Sequence, residues 1–150
     1  LVIGVATREL GEKMALALHR LGTKHSMIVH GMDGMDEISV HGHSLVWEIN
    51  ENGVLPTYEV SPRQFGIKET NVSQLKGGTP AENAEIFRRI LNGERGTCRD
   101  AVIMNTATAL VISNRASDLK EGARIAEEAT DSGRALEKLN GLAKLSQSLS

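Results

Sequence analysis

What most constrains the fold of this chain is LVIGVA, an unbroken apolar run over residues 1–6, followed by a helical pattern and a second apolar run. A run without alternation reads as a strand buried on both faces of a parallel sheet. Over residues 8–21, Leu10, Met14, Ala17, Leu18 and Leu21 recur at helical spacing with charges opposite, and Gly22 closes the helix. Residues 26–29 form the second strand. Strand, helix and strand with short links make a βαβ unit, whose crossover is expected to be right-handed. Such sheets deliver functional loops at the carboxyl ends of their strands. At this end stands HGMDGMDEIS, from His30 to Ser39.

Beyond that loop the period changes to two. Leu45, Trp47 and Ile49 alternate with Val46, Glu48 and Asn50, Asn52-Gly53 is a turn signal, and residues 54–60 run back as an antiparallel hairpin that Pro62 ends. The remainder reads as helices. Thr79-Pro80-Ala81-Glu82 is a capping box with proline at the first helical position, and its helix runs to about Leu91, where Gly93 stops it. Thr97-Cys98-Arg99-Asp100 repeats the start signal before residues 101–112, which are apolar almost all round and therefore buried. Ser117-Asp118 opens another helix and Asp131-Ser132-Gly133 breaks it. The last helix carries Leu136, Leu139, Leu142 and Leu145 on one side. The expected fold is one α/β module with parallel strands, an antiparallel hairpin and C-terminal helices, a size that 150 residues suit. Because the chain opens inside a strand rather than on methionine, we expect a fragment that lacks the earlier part of its domain.

Charge and composition exclude some roles. A formal charge of -2 argues against a broadly basic nucleic-acid surface or an anionic-membrane binder. No apolar run approaches the roughly 18 residues that a spanning helix needs, and because LVIGVA leads straight into a polar helix, a secretory signal is not expected. Cys98 is the one cysteine, so an internal disulfide is ruled out and a reducing compartment fits. The expectation is a cytoplasmic protein with neither membrane nor nucleic acid as partner.

The acidic loop admits two readings. Magnesium binds through one or two carboxylates, keeps waters and is shared with substrate phosphates. Asp36 and Glu37 are adjacent, so on an extended strand they would face opposite ways. Gly31 and Gly34 make the required bend cheap, with Asp33 as a further acceptor or a turn former. The other reading is a solvated surface turn, for which Asp-Gly is a common dipeptide. His41 and His43 share a face, but zinc wants about four ligands and no convincing set exists, so they read as solvated or hydrogen-bonded. Lys76-Gly77-Gly78-Thr79 lacks the spacing of a phosphate-binding loop and is explained by the capping box. Cys98 sits at a helix start without a base partner. Asn105, Thr106 and Thr108 should bond to backbone or to neighbouring helices. No side chain has the setting of a covalent nucleophile, so no catalytic residue is assigned.

HGMDGMDEIS, FGI, LKGGTPAENAEIFRRILNGERGTCRDAVIMNTATALVIS and ATDSGRALEKL, in this order, resemble anthranilate phosphoribosyltransferase from residue 1 to about 145. The resemblance implies a magnesium-dependent transfer of the phosphoribosyl group of phosphoribosyl pyrophosphate to anthranilate, with release of pyrophosphate, in tryptophan biosynthesis. It implies Asp36 and Glu37 as the Mg2+ ligands. It also implies that residues 1–150 are a partial α/β domain, with the first part of that domain and a helical domain that forms the homodimer absent, and hence inactive alone. Two alternatives are a pyrimidine nucleoside phosphorylase of the same fold and a non-catalytic, nucleic-acid-binding relative.

Overall fold

The structure is a computed structural model and describes residues 1–149. Strand β1 (Val2–Gly4) is followed by α1 (Arg8–Arg20) and β2 (Ser26–Gly31). β1 pairs with β2 in parallel, Ile3 opposite Ile28, which is the βαβ unit expected from the apolar runs. Strand β3 (Ser44–Asn50) lies antiparallel beside β2, Val46 opposite Val29. The returning strand is split into β4 (Gly53–Val54) and β5 (Tyr58–Val60), both antiparallel to β3. Pro56 lies in the gap between them, where its missing N–H cannot serve the ladder. The result is a mixed α/β sheet.

Alternation along the strands sorts the core into two layers. Ile28, Leu45, Trp47 and Ile49 meet Ala15 of α1 on one face. Met27, Val29, Val46 and Val60 meet Ile103, Met104 and Ala107 on the other. These last three belong to α3 (Thr97–Ile112), which follows α2 (Pro80–Leu91) and precedes α4 (Leu119–Asp131) and α5 (Arg134–Ser148). A Cβ on Gly122 would lie 2.8 Å from the carbonyl oxygen of Ala107, so α3 and α4 approach at backbone distance.

Three local expectations are corrected. In α1 the buried residues are Gly11 and Ala15, while Leu10 and Leu21 are exposed. The helix is rotated because a Cβ on Gly11 would lie 2.4 Å from the Trp47 ring: the indole fills the space that a side chain would take. On α5, Leu142 and Leu145 are exposed, so that leucine side is only partly packed. At α3 the N-cap is Gly96, and Thr97 is instead the first helical residue, its hydroxyl donating to Gln74 Oε1 at 2.6 Å. The other helix signals formed as read. Thr79 and Glu82 close a reciprocal capping box on α2, and Asp118 accepts from the Glu121 N–H at the start of α4.

Candidate functional site

The acidic loop leaves β2 at its carboxyl end, beside the carboxyl end of β1. Its bend has identifiable causes. The Gly31 N–H donates to Met35 O at 2.8 Å, the Gly34 N–H to Gly31 O at 2.8 Å, and Gly34 has φ +93°, a conformation that favours glycine. Asp33 works inside this turn. Its Oδ1 accepts from the Met35 N–H at 3.3 Å and its Oδ2 from the Ser39 hydroxyl at 2.5 Å. Of the two roles open to Asp33, the structure shows the turn former. The Met32 N–H donates to His43 O, which ties the loop to the start of β3.

Asp36 and Glu37 follow this turn, and both are exposed. The loop passes over the end of β1 so closely that a Cβ on Gly4 would stand 1.5 Å from the Asp36 carbonyl oxygen. On the other side, Asn105 of α3 meets it. Asn105 Oδ1 accepts from the Ile38 N–H at 3.0 Å, and Nδ2 donates to Ile38 O at 3.4 Å and reaches Glu37 Oε2 at 3.5 Å. His30 Nδ1 lies 2.9 Å from Val5 O. A carbonyl only accepts, so Nδ1 carries the proton and ties the ends of β1 and β2 together. Partial burial, and after it the charge of Asp36, raises the Glu37 carboxyl above its ordinary value. The two carboxylates therefore feel one another.

That donor set fits one kind of ion. Two adjacent hard-oxygen donors, mutually repelling and open to solvent, suit a divalent cation that completes its shell with water and phosphate. Among the described residues no group of three or more His, Cys, Asp or Glu is placed to hold a metal ion, so no closed protein cage is formed. The other motifs are structural. His43 Nδ1 pairs with Glu59 Oε2 at 3.3 Å on the surface. In the Lys76–Thr79 stretch, the Gly78 N–H donates to Asn83 Oδ1 and the Thr79 N–H to Glu82 Oε2. Cys98 Sγ donates to Gln74 O at 3.4 Å.

Residues 1–136 match the family described as glycosyl transferase family, a/b domain. The chain belongs to that family. Among curated relatives, this glycosyl transferase domain is 45 % identical over 89 residues to anthranilate phosphoribosyltransferase of Parvibaculum lavamentivorans, covering 59 % of the chain and 26 % of the relative. Among solved structures it superposes on anthranilate phosphoribosyltransferase of Thermus thermophilus with TM-score 0.82 and 37 % identity, over 91 % of the chain and 40 % of that protein. It superposes on the Saccharomyces cerevisiae enzyme in complex with PRPP and Mg with TM-score 0.83 and 33 % identity, over 93 % and 40 % respectively. The chain thus spans about a quarter of the length of the curated relative, at 26 %.

Three residues that shape the site carry no functional signal in the sequence. Gly4 looks like part of an apolar strand, and Ser39 like the end of a loop. Asn105 was expected to bond to backbone or to neighbouring helices, and it does bond the backbone of Ala101 and Ile38, but its link to Glu37, across 68 positions of sequence, was not foreseen.

Proposed function

We propose that this chain is the cation-holding part of an anthranilate phosphoribosyltransferase. The observation that carries this reading is the loop at the carboxyl end of β2, bent by Gly31 and Gly34 and held between Gly4 and Asn105, which presents the exposed neighbours Asp36 and Glu37 close enough for the charge of one to raise the carboxyl of the other. Asp36 and Glu37 would hold Mg2+, and the substrates are phosphoribosyl pyrophosphate and anthranilate. The products are N-(5-phosphoribosyl)anthranilate and pyrophosphate, on the route to L-tryptophan.

The reaction is substitution at the ribose anomeric carbon. The anthranilate nitrogen forms the new C–N bond and gives up a proton, while the C–O bond to pyrophosphate breaks and its electron pair leaves with the pyrophosphate. Bound magnesium supplies neutralisation of the charge gathering on the diphosphate oxygens. Asp36 and Glu37 present acceptor oxygens from one rigid loop and keep them at a fixed place relative to the sheet. Asp33, engaged by Ser39 and the Met35 N–H, keeps the bend in shape. Geometry held in this way contributes to rate through positioning rather than through a covalent intermediate.

In this reading residues 1–150 are part of a longer α/β domain that works in the cytoplasm. A helical domain upstream forms the homodimer, and the remaining substrate contacts also lie upstream. The chain alone is then inactive. In the full-length protein, Asp36→Asn with Glu37→Gln should sharply reduce the magnesium-dependent consumption of anthranilate in the presence of phosphoribosyl pyrophosphate. Unchanged magnesium dependence, or turnover of a pyrimidine nucleoside with phosphate in place of anthranilate, overturns the reading.

A further inference from the structure

Resting on the reading of Asp36 and Glu37 as cation holders, we propose that Asn105 is a positioning residue for Glu37, setting the direction in which the carboxylate meets the cation. Asn105 is half-buried on α3, between the buried Ile103, Met104, Ala107 and Thr108 and the exposed Thr106. A side-chain amide in such surroundings is costly unless its capacity is used. One of its contacts, Nδ2 to Ala101 O at 3.0 Å, stays within α3. The other three leave the helix and converge on one residue of the acidic loop, Ile38, and on the Glu37 carboxylate before it.

The orientation of the amide is settled by its partners. The Ile38 N–H only donates, so Oδ1 must face it, and the carbonyls of Ile38 and Ala101 only accept, so Nδ2 must face them. Asn105 therefore grips residue 38 by both its N–H and its C=O, as a neighbouring strand would. That grip removes the freedom by which Glu37 would swing away from Asp36, which is the default for adjacent residues in extended chain. Nδ2 also approaches Glu37 Oε2 to 3.5 Å from the protein side, a long contact that biases the carboxylate's direction. Groups that orient a ligand in this manner change metal affinity by about ten-fold or more when removed.

The test is a Mn2+ titration of the full-length protein followed by paramagnetic line broadening, on Glu37→Gln, Asn105→Ser and the double variant. Serine at 105 can return its hydroxyl to Ala101 O, as Thr108 does to Met104 O at 3.0 Å, so the helix stays satisfied while the loop is released. Asn105→Ala and the thermal midpoint of each variant control for folding. Each single change should weaken Mn2+ binding about ten-fold, and the double variant should be no weaker than Glu37→Gln alone. Unchanged affinity in Asn105→Ser, or multiplying effects in the double variant, overturns the positioning role and leaves the metal reading intact. Unchanged affinity in Glu37→Gln overturns the metal reading itself.

Discussion

Gly4 and Asp36 touch through backbone: a Cβ at residue 4 would stand 1.5 Å from the Asp36 carbonyl oxygen. The first strand of the sheet is thus the floor on which the acidic loop rests. Gly4→Ala must displace that loop, because a peptide oxygen cannot step aside as the end of a flexible side chain can. The expected cost is about 1–3 kcal/mol, together with weaker divalent-cation binding. Urea midpoints and Mn2+ titration of the same variant check both effects. Parent-like values in both would contradict the contact.

Glu37 makes the fold sensitive to pH. Its folded carboxyl holds a proton more tightly than the ordinary value of 4.5, through partial burial first and the Asp36 charge second. Ionising it therefore costs the folded state. That cost is absent well below 4.5, grows as the pH passes up through the raised folded value, and is complete above it. Glu37→Gln removes it. In chelated buffer the variant should be the more stable at neutral pH, with the difference closing as the pH falls past 4.5. Urea titrations at several pH values test the sign.

Gly11 sits against the indole of Trp47, the chain's single tryptophan. A methyl group there would lie 2.4 Å from the ring, so Gly11→Ala should destabilise by about 1–3 kcal/mol. The tryptophan emission reports the event directly. It should shift in the folded variant, and an unchanged spectrum with unchanged stability would refute the packing.

Arg99 is 2 % exposed and donates Nη2 to Asp131 Oδ1 at 2.7 Å, tying the start of α3 to the end of α4. Asp131→Ala leaves that buried cation uncompensated, at a cost of about 3 kcal/mol. Arg95, which also pairs with Asp131 but is 67 % exposed, should give less than 1 kcal/mol when replaced by alanine. Thermal or urea unfolding of the two variants ranks them.

Local signals in the sequence were legible where the physics is local. The Thr79–Glu82 box and the Asp118 cap each act within a few residues and formed as read, while the hairpin turn falls one residue early, on Glu51-Asn52, with Gly53 already paired to Asn50. The bend that brings Asp36 and Glu37 out of strand geometry was also visible, because Gly31 and Gly34 lie beside them. What stayed hidden depends on neighbours distant in sequence. Leu10 and Leu21 carried the right period, but α1 turns its glycine and alanine to the sheet because Trp47 claims the space. Asn105 looked like one polar residue in a buried helix, and only the packing of α3 under the loop gives it Ile38 and Glu37 as partners.

The most direct test of the account is anomalous diffraction from crystals of the chain soaked in Mn2+, collected at the manganese edge. A single strong peak at bonding distance from carboxylate oxygens of both Asp36 and Glu37 is the predicted result. A peak elsewhere with none at this loop, or a cation held by only one of the pair, would contradict it.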